Sequence, residues 1–512
     1  VAVVVASGTI EGVEGIPIEV EVDLQHRLPA FLIVGLPSIA VRESTHRVRS
    51  AIAQLGMSFP KRRVVCNLAP ASVPKAGTGF DLPIAVGVMA ASEQLSLQRL
   101  DRTAFYGELS LEGELRGIPG ALPMALMARD HGLDRIILPA DCAPEAAVVE
   151  GIEVLCADTL ADVVAWLEGD RSLRRAEGVR CVDNDRVPLD LSEVRGQDRA
   201  RRALEIAAAG GHNLLMVGAP GCGKTMLAAR MPGILPRLQL DEAIDITRVW
   251  SVAGMLKGGR GLVTHRPFRA PHHTISPAGM VGSAKLRPGE VSLAHNGVLF
   301  LDEVPEFQRH VLELLRGPLE DRAITVSRAA GTVRLPASVS LVAAANPCPC
   351  GFLGHPTRPC TCPPRAIDNY KNRLSGPLLD RVDLQVWVQP VDPEQLSRGE
   401  PGEPSAAVRA RVEAARERQH ARFSARLTTS GRRPSCNAEL QGDDIRAAAA
   451  PTAAATRVLH DSMGSLGLSA RGWARTLKVA RTIADLAGAD QVDAPHVLEA
   501  TSYRLPGVAE AA

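Results

Sequence analysis

The sequence predicts an α/β protein, with an α+β region at its start, a doubly wound and mainly parallel sheet in its middle, and a helical lid at its end. Three observations predict it. The first is Gly218-Ala219-Pro220-Gly221-Cys222-Gly223-Lys224-Thr225, which fits the G-x-x-x-x-G-K-[ST] phosphate loop and lies between an apolar run, His212 to Val217, and a helical stretch opening at Met226. The second is Val298-Leu299-Phe300-Leu301, four apolar residues of a buried strand that deliver Asp302 and Glu303 at its end. The third is the alternation of strand-like and helix-like segments from Leu191 to about Pro390. Such alternation implies a parallel sheet that binds its ligand at the carboxyl ends of the strands.

Length and composition set the frame. A chain of 512 residues corresponds to roughly three or four domains. We expect divisions at 1–168, a polar linker over 169–190, the sheet region over 191–390 and the helical lid over 391–512. Hydrophobic residues make up 46% of the chain, yet no run approaches the roughly 18 to 20 apolar residues of a membrane span, and no targeting pattern opens it. A cytoplasmic protein with no membrane partner is expected. A net charge of +1 means that any DNA site must be a local basic patch or a ring of loops made by assembly. Aromatic residues are 3%, which disfavours extensive base stacking on single strands.

In the N-terminal region, Val1 to Ala6, Ile16 to Val22, Phe31 to Val34, Val64 to Leu68 and Ile136 to Leu138 read as strands, while Ala40 to Leu55 and Leu82 to Ala91 read as helices. Two segments, VGLPSIAVRESTHRVRSAI and NLAPASVPKAGTGFDLPIAVG, resemble the Lon-protease-like domain that heads the YifB/ComM family of magnesium-chelatase-like proteins. The resemblance aligns Gly79 with the serine of an active Lon protease and Leu122 with its lysine. A nucleophile needs an activating base within hydrogen-bond reach, and glycine and leucine supply neither, so an inactive protease domain is expected. Lys75 and Thr78 lie close enough in sequence to overturn that reading. Arg42, Arg47, Arg49, Lys61, Arg62 and Arg63 are either a DNA-facing set or a solvated face.

In the sheet region, Gly218, Gly221 and Gly223 let the loop turn its N–H groups toward phosphates. Lys224 would reach the β- and γ-phosphates of ATP, and the Thr225 hydroxyl would ligate Mg²⁺. Cys222 fills a variable position with a small side chain. Asp302 would hold the Mg²⁺ shell, and Glu303 would polarise the attacking water as general base. Ser192 to Gln197, ahead of a helix over Asp198 to Ala209, resembles the segment that contacts adenine in AAA+ ATPases, which implicates Gln197. The strand Leu341 to Ala345 ends in Asn346, which matches the sensor 1 position; a capping asparagine before Pro347 is the plainer reading. Arg373 to Asp383 resembles the stretch bearing the arginine finger in magnesium chelatases and MCM helicases. That resemblance implies Arg381 as the finger, with Arg373 as second choice and a salt bridge to Asp380 or Asp383 as the competing explanation. Leu468 to Arg475 resembles the sensor 2 segment. By that resemblance Arg471 would reach the γ-phosphate, with Arg475 the alternative.

Two insertions resemble those of the chelatase and MCM branch. Thr247 to Asn296 contains RPFRAPHHTISPAGMVGSAKLRPGE and is longer than a simple crossover requires. His272 and His273 within it are adjacent on a loop, which suits structural or DNA contacts better than metal ligation. A hairpin over Ala323 to Val326 and Thr332 to Leu335 resembles one that projects into the channel of related hexamers. Arg322, Arg328 and Arg334 would then line a pore with charge suited to phosphates, unless the hairpin is simply solvated. After Asn346, Cys348, Cys350, Cys360 and Cys362 form C-x-C-x9-C-x-C. The four thiolates suit a structural Zn²⁺, with His355 as a substitute ligand or unmetallated cysteines as the alternatives. Beyond the proline-rich Pro393 to Pro404, the lid opens with an arginine-dense helix over Ser405 to Arg426 that either touches DNA or is solvated. Taken together, the resemblance implies a homohexameric ATP-hydrolysing motor on DNA, with a helicase that drives branch migration as its best-developed form. A metal-insertion motor and an ATP-dependent protease or unfoldase are the alternatives.

Overall fold

The computed structural model describes residues 2–178, 189–256, 261–282, 287–328, 331–373, 376–391, 400–424, 433–465 and 468–504. The centre of the expected linker (179–188), part of the insertion (257–260 and 283–286), the hairpin tip Ala329-Ala330, Leu374-Ser375, much of the proline-rich connection (392–399) and Arg426 lie outside the described residues, as does the side chain of Arg328.

The N-terminal region is built on an eight-stranded mixed sheet. Its strands are β1 (Val3–Glu11), β2 (Glu14–Gln25), β3 (Ala30–Val34), β4 (Arg63–Ala69), β5 (Thr103–Phe105), β8 (Arg135–Pro139), β9 (Glu153–Ala157) and β10 (Arg174–Arg175), with β6 (Glu108–Leu109) and β7 (Leu115–Arg116) forming a separate ribbon. They lie in the order β10-β9-β8-β5-β1-β2-β4-β3. Sequence reading finds β1 to β4 and β8 but passes over β5 and β10, runs of three and two residues too short for a period to declare itself, and over β9, which at five residues is as long as β3 and β8. The helix Asp81–Ala91 is apolar on every side because it is buried along nearly its whole length against β1 and β2.

The second sheet has five strands in the order β12-β13-β16-β11-β17, and every pairing in it is parallel. They are β11 (Leu214–Val217), β12 (Phe268–Arg269), β13 (Gly297–Leu301), β16 (Val339–Ala345) and β17 (Leu384–Trp387). β11, β13 and most of β16 are fully buried, as expected of a parallel sheet covered on both faces. The hairpin pairs β14 (Ala323–Arg328) with β15 (Gly331–Pro336).

The arginine-dense helix, Ser405–Phe423, corrects its own reading. Arg409 donates to Gly233 O, Arg416 to Ala208 O and Arg418 to Asp485 O, while Arg411 pairs with Glu205 at 2.6 Å and Arg422 pairs with Asp485. Three of these arginines thus bond the lid to the core and two bond its own helices together, so the helix is neither a free DNA face nor merely solvated. Arg47 is corrected likewise. Its guanidinium clasps the buried Asp81 at 2.6 and 2.9 Å and is not free for phosphate.

The N-terminal region packs on the core through two contacts. At the β1–β2 turn, Val13 enters an apolar cluster with Val249, Val333 and Leu335, and a side chain on Gly12 would overlap Val333. Beside it, Arg248 pairs with Glu14 at 2.6 Å. At the second contact the Gly120 N–H donates to Ser251 Oγ (3.1 Å), which donates to Glu145 Oε1 (2.6 Å), which also accepts the Leu122 N–H (3.2 Å). Burial pushes the Glu145 carboxyl up to about 7, and these hydrogen bonds only partly oppose it.

That carboxyl makes the fold pH-dependent in a defined direction. It titrates near 4.5 in the unfolded chain and near 7 in the fold, so between those values the folded state holds more protons and stability falls as pH rises. Thermal unfolding of Glu145→Gln should lack the part of that decline found in the unsubstituted protein between about pH 4.5 and 7. Identical pH profiles for the two proteins would refute it.

Candidate active site

Register builds the site. Val217 is level with Ala345 on one side and Trp387 on the other, and Leu301 is level with Ala343. The residues that follow these strands, Gly218, Asn346, Val388 and Asp302, therefore emerge along one edge of the sheet. The first strand of the region, β11, lies between the last two strands in chain order, β16 and β17, a reversal that opens a crevice at the carboxyl ends.

The loop after β11 uses its glycines in two ways. Gly221 and Gly223 have φ of +76° and +95°, where L side chains are strained. Gly218 is needed for space, because a Cβ there would overlap the Val388 carbonyl oxygen. Ala219 and Cys222 are buried and Pro220 is exposed. Cys222 packs in the apolar core under the loop, which raises its thiol pKa by burial.

Lys224 is buried, and its Nζ donates to Gly218 O (2.7 Å), Ala219 O (3.0 Å) and Asn346 Oδ1 (3.1 Å). Thr225 Oγ1 donates to Asp302 Oδ2 at 2.8 Å, and the Glu303 N–H holds the other Asp302 oxygen at 3.0 Å. A hydroxyl and a carboxylate in contact are the hard oxygen donors that Mg²⁺ takes alongside phosphate. Glu303 itself is exposed, at φ +51°, a left-handed conformation of the kind found at functional sites. Gln197 Nε2 donates to Cys222 O (3.1 Å) and Gln389 O (2.6 Å), so it ties the front of the core to the phosphate loop. The structure thus brings together Gly218 to Thr225, Asp302, Glu303, Asn346 and Gln197.

It does not bring Arg381 and Arg471 to that edge. Both line a cavity of about 710 Å³ whose wall also includes Arg322, Arg334, Arg475 and Lys478. None of the phosphate-loop residues lines it. Asn213, Val339 and Asp383, which precede or begin β11, β16 and β17, do, which puts the cavity at the amino ends of the strands. There Arg381 pairs with Glu320, and Arg471 reaches Asp380 at 3.5 Å. Glu320 is thus the partner of Arg381 in place of the expected Asp380 or Asp383, and Arg471 does not reach the phosphate loop of its own chain. Arg322 is also corrected. It pairs with Glu439 of the lid at 3.1 Å and donates to Ser338, which draws it away from the hairpin's exposed face, whereas Arg334 is exposed.

Other candidates resolve as follows. His272 and His273 stack at 4.1 Å, with His273 edge-on to Phe307, and among the described residues no third ligand gathers with them. Gly79 faces the ring of Tyr106, which occupies the space of any side chain there. Lys75 donates to Pro70 O and Thr78 to Glu108, so neither activates the other. Leu122 is buried. The four cysteine sulfurs lie within 4.8 Å of one another, and the N–H groups of Phe352 and Thr361 draw the Cys350 thiol down to about 6.

One residue escapes sequence reading. Tyr370 is buried beside the Asn346 backbone, and burial with the nearby Glu306 and Glu303 carboxylates pushes its hydroxyl up to about 12. A single tyrosine in the polar helix Pro364–Arg373 carries no local signal of that position.

The strand order, the phosphate loop and the aligned Asp302, Glu303 and Asn346 define a AAA+ ATPase. The chain belongs to the YifB/ComM family of magnesium-chelatase-like proteins. It matches the family descriptions "Magnesium chelatase, subunit ChlI" over residues 190–396, "Subunit ChlI of Mg-chelatase" over 20–142 and "Magnesium chelatase, subunit ChlI C-terminal" over 402–504. It is 45% identical over 496 residues to the uncharacterized protein YifB of Escherichia coli, covering 96% of this chain and 95% of that one. It is 42% identical over 508 residues to competence protein ComM of Haemophilus influenzae, covering 98% and 97%. A shorter likeness, 31% identity over 116 residues, joins it to an archaeal Lon protease of Halobacterium salinarum, covering 21% of this chain and 16% of that one.

Two substitutions separate binding from chemistry at this site. Lys224→Ala should abolish both nucleotide retention and hydrolysis. Glu303→Gln should keep nucleotide binding while lowering turnover about 10²- to 10⁴-fold. Comparable turnover in Glu303→Gln and the unsubstituted enzyme would remove Glu303 from the role of general base.

Proposed function

We propose that this protein is a ring motor that hydrolyses ATP and moves on DNA, as a helicase that drives branch migration in recombination or natural transformation. The observation that carries the reading is the separation of its two charged sites. Lys224, Thr225, Asp302, Glu303 and Asn346 lie at the carboxyl edge of the sheet, while Arg381 and Arg471 lie with a cavity at the amino edge. An arginine at either of these positions that stabilises charge on the transferred phosphoryl group would act on the nucleotide of a neighbouring copy, which favours a homohexamer over a lone subunit.

In this reading Lys224 holds the β- and γ-phosphates, and Thr225 and Asp302 hold Mg²⁺, which supplies charge neutralisation. Glu303 takes the proton of the attacking water, Asn346 orients that water, and Gln197 positions the loop at the adenine side. Arg381 and Arg471 of the next copy complete the site. The exposed Arg334 on the hairpin supports a phosphate-binding channel once repeated around a ring. The cysteine cluster holds a structural Zn²⁺. That ComM bears the name of a competence protein supports DNA as the substrate. The matches to a magnesium chelatase subunit favour a second reading, a motor that drives metal insertion.

ATP hydrolysis measured with single-stranded, duplex and branched DNA distinguishes the two. We expect DNA to stimulate turnover and a branched strand to be displaced; absence of both would sink the DNA reading. Arg381→Ala should be inactive alone and regain partial activity when mixed with Lys224→Ala. No recovery at any ratio would count against a finger that acts between subunits.

A further inference from the structure

We propose that the zinc ion of the cysteine cluster is a clamp on the phosphate loop, so that metal loading sets the affinity for nucleotide. The proposal rests on the reading of Cys348, Cys350, Cys360 and Cys362 as a zinc site. The sulfurs of Cys348, Cys350 and Cys360 stand 3.4, 3.6 and 3.6 Å apart. Four thiolates at 2.3 Å from a tetrahedral Zn²⁺ stand about 3.8 Å apart, whereas a disulfide requires about 2.05 Å. Backbone N–H groups already face the sulfurs. Cys350 N–H donates to Cys362 Sγ (3.4 Å), Leu353 N–H to Cys348 Sγ (3.4 Å) and Cys362 N–H to Cys360 Sγ (3.5 Å). Such outer hydrogen bonds orient metal-bound thiolates and offset their charge.

The cluster is wired into the nucleotide site at both ends. At its front, Cys348 follows Asn346 by two residues, and the turn closes with the Gly351 N–H on Cys348 O (2.9 Å). Gly351, at φ +82°, presses on Pro220 of the phosphate loop so closely that a Cβ there would lie 2.5 Å from Pro220 Cδ and 2.7 Å from Cγ. At its back, Cys362 leads into the helix Pro364–Arg373, whose Tyr370 packs against the Asn346 backbone. Residues 347–363 form no regular helix or strand, so the four sulfurs and the Tyr370 contact at Asn346 are what draw the two ends of this segment together. A metal that joins them removes the loop's freedom and keeps Pro220 and Asn346 in place against Lys224.

The test uses the full-length protein and a fluorescent ATP analogue whose binding needs no turnover. Elemental analysis should find one zinc per chain. Release of the metal by a mercurial thiol reagent, followed by removal of reagent and metal, should weaken analogue binding at least about tenfold, and added Zn²⁺ should restore it. Gly351→Val should retain zinc yet bind the analogue more weakly, since it wedges the turn off Pro220. Absence of zinc, together with failure to take it up, overturns the site and the clamp. Bound zinc whose removal leaves affinity unchanged overturns the clamp alone. Both outcomes are independent of whether DNA stimulates hydrolysis, so failure of the motor reading is distinguished from failure of this one.

Discussion

The parallel register of β11, β13, β16 and β17 is the constraint on which the rest depends. Because Val217, Ala345 and Trp387 are level, the chain leaves three strands at the same height, and the dipoles and side chains that follow converge on one crevice. Lys224 and Asn346, 122 residues apart, meet at 3.1 Å for that reason alone. The same register sends Arg381, which precedes β17, to the opposite edge. A single geometric fact thus gathers the phosphate-loop residues on one side of the sheet and Arg381 and Arg471 on the other.

The N-terminal region is tied to that machinery and does not merely precede it. Val13 and Gly12 sit against the hairpin strand β15, and Glu145 reaches across to Ser251 on the helix Leu240–Val252. With Tyr106 filling the space beside Gly79, this region has the contacts of a scaffold. The buried Glu145 carboxyl makes the free energy of this interface follow pH.

Much of the site was legible because its residues follow one another or follow an apolar run. The phosphate loop is eight consecutive residues, Asp302 and Glu303 end a buried strand, and C-x-C-x9-C-x-C is a spacing. Charged residues were read less well. Arg47 and the lid arginines looked free because their partners, Asp81, Glu205 and Asp485, lie far away in sequence. Arg322 looked like part of a pore until the lid's Glu439 claimed it. A guanidinium's role is set by whichever acceptor reaches it, and that acceptor leaves no local pattern.

The sequence by itself determined the class of fold, the phosphate loop, the carboxylate pair and the cysteine spacing, since each is a local pattern of backbone freedom, burial or ligand chemistry. Only the tertiary structure decided which edge of the sheet each charge occupies, that Gly351 bears on Pro220, that Tyr370 backs Asn346 and that Arg381 stands away from its own phosphate loop. Those facts arise from the packing of segments distant in the chain, where contact depends on strand order and register rather than on neighbouring residues.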